Sequence, residues 1–147
     1  MPPPFEIIEH PADIGFLAYG ATPNELFQNA ALALISLACS PEGIEEREQR
    51  EITAHGAAID SLLYAWLAEI LAVADAEQLV FRRVEVKHLK LRDGEKGRLE
   101  EVAAVAYGEK FDRARHTAGT YIKAVTYHQF RIECNADGWR AQVFLDL

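Results

Sequence analysis

The chain has few of the residues that cross-link or anchor a protein. Its only two cysteines, Cys39 and Cys134, lie far apart and neither has a CxxC or histidine spacing beside it. This pattern argues against a disulfide framework and a cysteine-ligated zinc site, and it predicts two buried free thiols in a reducing compartment. No basic stretch followed by an apolar one begins the sequence, as it would in a secretory signal peptide. We therefore expect a cytoplasmic protein.

Long uninterrupted apolar runs are also missing. The most apolar stretch, 57–74, contains Asp60, Ser61 and Glu69 and barely reaches the length needed to span a bilayer. It predicts a buried helix and no membrane partner. A glycine-rich phosphate loop is absent, and no serine or cysteine lies in the sequence context of a nucleophile elbow. Neither a nucleotide-binding loop nor a hydrolase nucleophile is therefore predicted.

Positive charge is absent from the first third of the chain. Residues 1–46 contain seven acids and no lysine or arginine, whereas 81–147 hold thirteen of the fifteen basic residues against ten acids. A net charge of −8 argues against a protein that coats nucleic acid duplexes. Two outcomes stay open. Either the folded surface is dipolar and orients a partner, or unlike charges become interspersed on folding.

The length of 147 residues and the 50% apolar content indicate a single domain, 1–147, with a proper core. Thr22-Pro23-Asn24-Glu25 is typical of a capping box with proline at the first helical position, and Ser40-Pro41 ends that helix. A second helix is predicted over about 57–74 from the spacing of its apolar residues.

Strand patterns fill most of the remainder. Strands are predicted over 5–8, 16–20, 51–54, 79–91, 99–107, 124–134 and 139–147, with turns at 10–15 and 93–97. The segment 51–54 is interpreted as an exposed edge strand, and an apolar parity slip between Phe81 and Val84 predicts a bulge. The predicted fold is a two-layer α+β domain, with two helices packed on a largely antiparallel sheet of about seven strands.

The segment 108–128 is the part that fold requirements explain least. It concentrates the ionisable residues Glu109, Asp112, Arg113, Arg115, His116, Lys123 and His128. Asp112 and His116 are candidates for an acid/base pair, but the same acids and histidine also suit ion pairs with the basic residues. Residues 122–128 have the pattern of a strand start, with Lys123 on the face of Val125 and Tyr127.

Aromatic residues offer a further alternative. Tyr107, Tyr121, Tyr127 and Trp139 could stack on RNA bases, but without a basic exposed face we assign them to the core.

Carboxyl groups stand near both ends of the chain. Asp13 lies in the predicted turn at 10–15, and Asp146-Leu147 directly follows a predicted strand. If these two regions meet, three carboxyl groups converge, and such an oxygen set suits a hard cation such as Ca²⁺, Mg²⁺ or Mn²⁺. The alternative is that Asp13 only shapes its turn and Asp146 is a solvated strand end.

The chain resembles the archease family along nearly its whole length. The resemblance rests on His10-Pro11-Ala12-Asp13-Ile14-Gly15, Trp66-Leu67-Ala68-Glu69, Gly108-Glu109 with Asp112 and His116, the segment 122–128 (IKAVTYH), and Asp146-Leu147. The family usually has threonine where this chain has Pro11. The resemblance implies an α+β domain with a divalent cation held by Asp13, Asp146 and Leu147.

The resemblance also implies a function. Members of the family assist an RtcB-type RNA ligase: they promote guanylylation of its active-site histidine, allow multiple turnovers and broaden its nucleotide use. That ligase joins RNA ends bearing 2′,3′-cyclic phosphate or 3′-phosphate to 5′-hydroxyl ends in tRNA splicing and RNA repair. GTP and RNA are then indirect partners and the chain itself is not an enzyme. Lys123, His116, His128, Glu109 and Asp112 become candidates for supporting or partner-contacting residues.

Two other functions remain open. One is a chaperone or specificity modulator of a tRNA methyltransferase, which the resemblance also allows. The other is a stand-alone metal-dependent phosphohydrolase that uses Asp13 and Asp146.

Overall fold

The computed structural model describes residues 2–9, 13–92 and 99–147. Within them the elements follow the order β1 (Phe5–Glu9), β2 (Ile14–Gly20), α1 (Pro23–Ala38), β3 (Glu48–Gly56), α2 (Ile59–Glu77), β4 (Leu79–Lys90), β5 (Glu100–Lys110), β6 (Ala124–Val125), β7 (Arg131–Asn135) and β8 (Gly138–Asp146). The predicted α+β class is confirmed, and the two helices pack on antiparallel strands.

The strands form two sheets instead of one. The larger sheet has the order β1-β2-β8-β6, and β7 pairs with β8 as well. The smaller sheet has the order β3-β5-β4. Every strand pairing in the described residues is antiparallel. β8 therefore pairs along one edge with β2, and along its other edge with β7 and β6 in succession.

Helix α1 connects the two sheets. The Thr22 hydroxyl accepts a hydrogen bond of 3.2 Å from the Glu25 N–H, which confirms the predicted N-cap. The helix contacts β2 of the larger sheet and β4 of the smaller one. Its buried residues occupy most of its circumference: Leu26, Phe27, Ala30, Ala31, Ala33, Leu34 and Ile35. A helix covered on so many sides must carry small and apolar residues almost throughout.

Helix α2 buries one stripe, as its apolar spacing predicts. The stripe consists of Leu62, Leu63, Trp66, Leu67, Ile70 and Leu71. The buried Trp66 indole N–H donates a hydrogen bond of 3.0 Å to the Phe27 carbonyl, so the largest core side chain also fixes the two helices relative to each other. In the part of the chain that the structure describes, no helix is both long and apolar enough to cross a lipid bilayer.

The strand predictions are right in place and wrong in some details. The expected edge strand at 51–54 is β3, which is longer and does lie at a sheet edge. The bulge is present between Phe81 and Arg83, and a second register shift lies between Val86 and His88. The single strand predicted over 124–134 is wrong: a turn with a left-handed residue, Gln129 at φ 51°, separates β6 from β7. The predicted turn at 93–97 and residues 10–12 of the one at 10–15 fall outside the described residues.

The uneven charge distribution of the sequence becomes interspersed on folding. Glu46, from the acidic first third, pairs with Arg83 at 2.9 Å and lies 3.9 Å from Arg82, both in the basic last part of the chain. These pairs favour the second of the two outcomes expected for charge. Cys39 is buried as predicted, but the expectation of burial is wrong for Cys134, which is exposed on β7.

Candidate functional site

Strand pairing brings Asp13 and Asp146 to the same end of the larger sheet. Ile14 on β2 is opposite Leu145 on β8, so Asp13 directly precedes one member of that pair and Asp146 directly follows the other. Asp13 is half-buried, whereas Asp146 and Leu147 are exposed. Within the described residues neither aspartate carboxylate makes a hydrogen bond or an ion pair. The early and late parts of the chain therefore meet as predicted, and each brings an uncompensated acid.

Gly15 explains why these two strands pair to their ends. A Cβ atom at this position would lie 2.5 Å from the Val143 carbonyl oxygen and 2.7 Å from the Phe144 ring. No side chain could be accommodated there without pushing β8 away from β2. The glycine two residues after Asp13 thus permits the close approach that places Asp13 beside the end of β8.

Lys123 lies at the same end of the sheet. Its backbone N–H donates a hydrogen bond of 2.8 Å to the Asp146 carbonyl, and the next residue, Ala124, pairs with Asp146. The Lys123 side chain is exposed, and its ammonium group makes no ion pair with any residue that the structure describes. Because Val125 is buried and Tyr127 is 60% exposed, the predicted shared face of these residues with Lys123 is wrong.

The chemistry of this end is compatible with a hard cation. The donors that the described residues offer here are oxygens, from the side chains of Asp13 and Asp146 and from the main chain of Leu147. Among the described residues no three histidine, cysteine, aspartate or glutamate side chains are grouped as a metal centre. An ion here would therefore depend on main-chain oxygen and on water for ligands beyond Asp13 and Asp146.

A second group of charged residues is buried around Glu109 on β5. One Glu109 oxygen accepts from the Arg115 guanidinium at 2.5 Å, with the Arg47 Nε at 3.5 Å. The other oxygen accepts from the Glu45 N–H at 2.6 Å and lies 3.0 Å from His116 Nε2. Glu109 is only 3% exposed and His116 only 5%. The segments before β3 and after β5 are both fastened to β5 through this one carboxylate.

The His116 ring has a fixed tautomer. Its Nδ1 accepts a hydrogen bond of 2.8 Å from the Asp112 N–H, so this nitrogen carries no proton. The proton is therefore on Nε2, which donates to Glu109. The Asp112 carboxylate instead accepts from the Ala114 N–H at 3.0 Å and lies 3.5 Å from Arg115. Asp112 and His116 thus form a capped turn, and their carboxylate and ring are not an acid/base pair.

Electrostatics agree with a structural role for this group. The Arg115 guanidinium lowers the pKa of Glu109 to about 2, assisted by hydrogen bonds from Glu45 and His116 and opposed by desolvation. Glu109 in turn raises the pKa of Arg115. A carboxylate so fully supplied with donors is held ionised at neutral pH and has little capacity left to accept a substrate proton.

His128 and Tyr127 lie after β6, and Tyr121 lies before it. The exposed His128 ring meets Phe144 edge-on at 6.1 Å, which places it near the end of β8. Tyr127 stacks on Tyr64 at a centroid distance of 3.9 Å. Tyr127 and Tyr121 are 60% and 70% exposed, so their assignment to the core is wrong. The turn around Gln129 accounts for the exposure of Tyr127, whereas Tyr121 lies in the irregular segment before β6.

Comparisons with known proteins agree on one family. The family model described as the Archease protein family matches residues 5–147. Protein archease of Methanosarcina mazei is 39% identical over 143 residues, covering 97% of this chain and 95% of the relative. Protein archease of Pyrococcus abyssi is 41% identical over 144 residues, covering 97% and 98%.

Solved structures show the same fold. The solution structure of Methanobacterium thermoautotrophicum protein 1598 has a TM-score of 0.81 and 32% identity, and the match covers 98% of this chain and 99% of that one. A crystal structure from Thermotoga maritima, described as an archease and possible chaperone, has a TM-score of 0.60. At 23% identity, this second likeness concerns the fold alone.

Proposed function

This chain belongs to the archease family, and we propose that it acts as an accessory protein that activates an RtcB-type RNA ligase. It would promote guanylylation of the ligase's active-site histidine and so allow repeated turnover and broader nucleotide use. The RNA ends and GTP would bind to the ligase, and this chain would reach them only through it. The proposed setting is tRNA splicing and RNA repair in the cytoplasm.

The observation that carries the proposal is a set of charged groups at the end of the larger sheet that no described residue pairs. Asp13 and Asp146 are brought together by strand register, yet neither is neutralised by another described residue. Lys123 stands at the same end, and no described residue pairs with its ammonium group. Elsewhere, acids such as Glu109 and Glu46 are matched to arginines. Charged groups left uncompensated at one place are available to a partner.

Asp13, Asp146 and Leu147 would hold a divalent cation, Ca²⁺, Mg²⁺ or Mn²⁺. Bound there, the ion supplies positive charge to the phosphates of GTP in the ligase active site. Lys123 either balances the two aspartates or contacts a phosphate oxygen itself. Because these residues lie at an exposed sheet end, they can be presented to the active site of another protein.

The test is a multiple-turnover ligation assay with purified ligase, GTP and RNA carrying a 2′,3′-cyclic phosphate and a 5′-hydroxyl. We expect the chain to raise the number of turnovers per ligase. Asp13→Asn and Asp146→Asn should each lower that activation by about tenfold or more, as loss of a metal ligand commonly does. Asp137→Asn is the matched control, because it removes the same charge at the opposite end of β8.

The same preparations separate the alternatives. A phosphohydrolase would turn over nucleotides or RNA ends with metal but without ligase. A chaperone of a tRNA methyltransferase would raise methylation in a way that does not depend on Asp13 or Asp146. If ligation gives one product per ligase with and without the chain, the proposed activation is wrong.

A further inference from the structure

A groove runs between the C-terminal half of α2 and the segment that leads into β6. It consists of two adjoining depressions of about 480 Å³ and 300 Å³, which share Leu71 and Asp75. Phe111 and Tyr121 line the larger depression, and Lys123 lines the smaller one. Each depression is large enough to receive side chains from outside. The groove therefore extends from the end of α2 to the sheet end that carries Asp146.

The groove exposes more aromatic surface than the fold requires. Phe111 is 38% exposed and Tyr121 is 70% exposed, although both have neighbours in the core. Leu71 and Ala74, from the buried stripe of α2 and its margin, form part of the floor. Large aromatic side chains at the rim of an apolar depression are typical of protein interfaces.

Asp75 is exposed and is the charge that both depressions share. Among the described residues it is the single charged side chain of the larger depression, whereas Lys123 lines the smaller depression with it. Asp75 lies in the last turn of α2, which contains no basic residue. A helix ends in a partial negative charge, so an acid there raises the free energy of the free protein. The neighbouring acid Glu77 is matched by Arg50 at 2.8 Å, but Asp75 makes no ion pair or side-chain hydrogen bond within the described residues.

We propose that this groove docks a segment of the partner protein in which a lysine or arginine is flanked by apolar side chains. The cation would pair with Asp75, and the apolar side chains would contact Leu71, Phe111 and Tyr121. In the larger depression, where Asp75 is the only charged lining residue that the structure describes, a carboxylate disfavours a nucleic acid phosphate. The identity of the partner rests on the proposed function. It is the ligase, because Lys123 lines the groove and also donates its backbone N–H to the Asp146 carbonyl, which places the groove beside the proposed site.

The experiment is an equilibrium binding measurement between purified ligase and the full chain. Asp75→Asn should raise the Kd by about tenfold. Asp75→Lys should raise it by about a hundredfold, because the introduced lysine would repel the partner's lysine or arginine. Tyr121→Ala should raise it by about tenfold through loss of an aromatic anchor. Glu69→Gln is the matched control: it removes one carboxylate from the exposed side of the same helix and should leave the Kd unchanged.

The melting temperature distinguishes weaker binding from loss of folding. Removing an acid from the last turn of a helix favours the helix, so Asp75→Asn should keep or slightly raise the melting temperature while it weakens binding. Ligase activation by Asp75→Asn should recover when its concentration is raised above the new Kd. Asp146→Asn should behave in the opposite way, with ordinary binding and low activation at any concentration.

Several results would overturn the docking proposal. An unchanged Kd for both Asp75→Lys and Tyr121→Ala excludes this groove while leaving activation by the wild-type chain intact. Self-association in sedimentation that disappears in Asp75→Lys, with unchanged ligase binding, assigns the groove to a second copy of the chain. If the wild-type chain neither binds nor activates the ligase, the proposed function fails, and the proposed occupant of the groove fails with it.

Discussion

The buried group around Glu109 and the open sheet end at Asp13 and Asp146 use similar side chains under opposite conditions. Glu109 is 3% exposed and receives three close donors, from Arg115, Glu45 and His116. Asp13 and Asp146 receive none from the described residues. Burial requires a carboxylate to be fully paired, whereas an exposed carboxylate can stay unpaired at little cost. In this molecule the buried Glu109 is paired on both oxygens, whereas Asp13 and Asp146 keep carboxylates that no described residue occupies.

Replacing the buried acid should have the largest effect on stability. Glu109→Gln keeps the shape of the side chain but leaves Arg115 without its counter-charge and disturbs the hydrogen bond to His116. We expect the free energy of unfolding to fall by about 2 kcal/mol, because the buried side chain loses charge-assisted hydrogen bonds, whereas Arg115 is 39% exposed and keeps Asp112 at 3.5 Å. Chemical denaturation monitored by circular dichroism measures it.

Glu51→Gln is the control, because Glu51 is exposed on the adjacent strand β3. Its free energy of unfolding should change by no more than about 0.5 kcal/mol. Equal effects of the two substitutions would mean that the Glu109 group does not hold the fold.

Lowering the pH should remove part of the stabilisation that the Glu109 carboxylate provides. The folded-state pKa of Glu109 is lowered to about 2, below its ordinary value of 4.5. Its contribution is therefore fully present above about pH 5 and is lost as the pH falls from there toward 2. Denaturation of the wild-type chain and of Glu109→Gln over this range should show their difference in stability shrinking. A difference that stays constant down to pH 2 would contradict the lowered pKa.

Ca²⁺ should raise the free energy of unfolding by a smaller amount, and only when Asp13 and Asp146 are intact. When free Ca²⁺ is tenfold above its Kd, the free energy of unfolding should rise by about 1.4 kcal/mol. Asp146→Asn should lose this response while keeping its stability without metal, because no described partner is left unpaired. Thermal melts with Ca²⁺, Mg²⁺ and Mn²⁺ measure it, with Asp137→Asn as the control. A response that is equal in all three proteins would argue against metal binding at Asp13 and Asp146.

Much of the fold was predictable because local signals coincide with tertiary ones. Thr22 and Pro23 begin α1 as expected, and the apolar spacing of α2 matches its buried stripe. The division into two sheets was not predictable, since alternation identifies a strand without identifying its neighbours. Residues 124–134 were predicted as one strand because alternation continues through a turn whose left-handed residue, Gln129, is not a glycine.

The candidate site was predictable in part. The meeting of Asp13 with Asp146 was predicted only on the condition that their regions adjoin, and the register of β2 with β8 meets that condition. The partner of His116 was not predicted, because Asp112 and Glu109 are both close to it in sequence and only coordinates distinguish them. The place of Asp75 at the edge of a groove was not predictable, because the groove forms only when α2 and the segment before β6 pack together.

The position of β8 has a consequence for how the protein is made. This strand comes last in the sequence but lies in the middle of the larger sheet, between β2 on one edge and β6 and β7 on the other. During synthesis β1 and β2 leave the ribosome early and must wait, with one edge open, until the final strand arrives. Asp13 therefore acquires its neighbour Asp146 only when β8 adds to β2, so these two acids come together only after the larger sheet has formed.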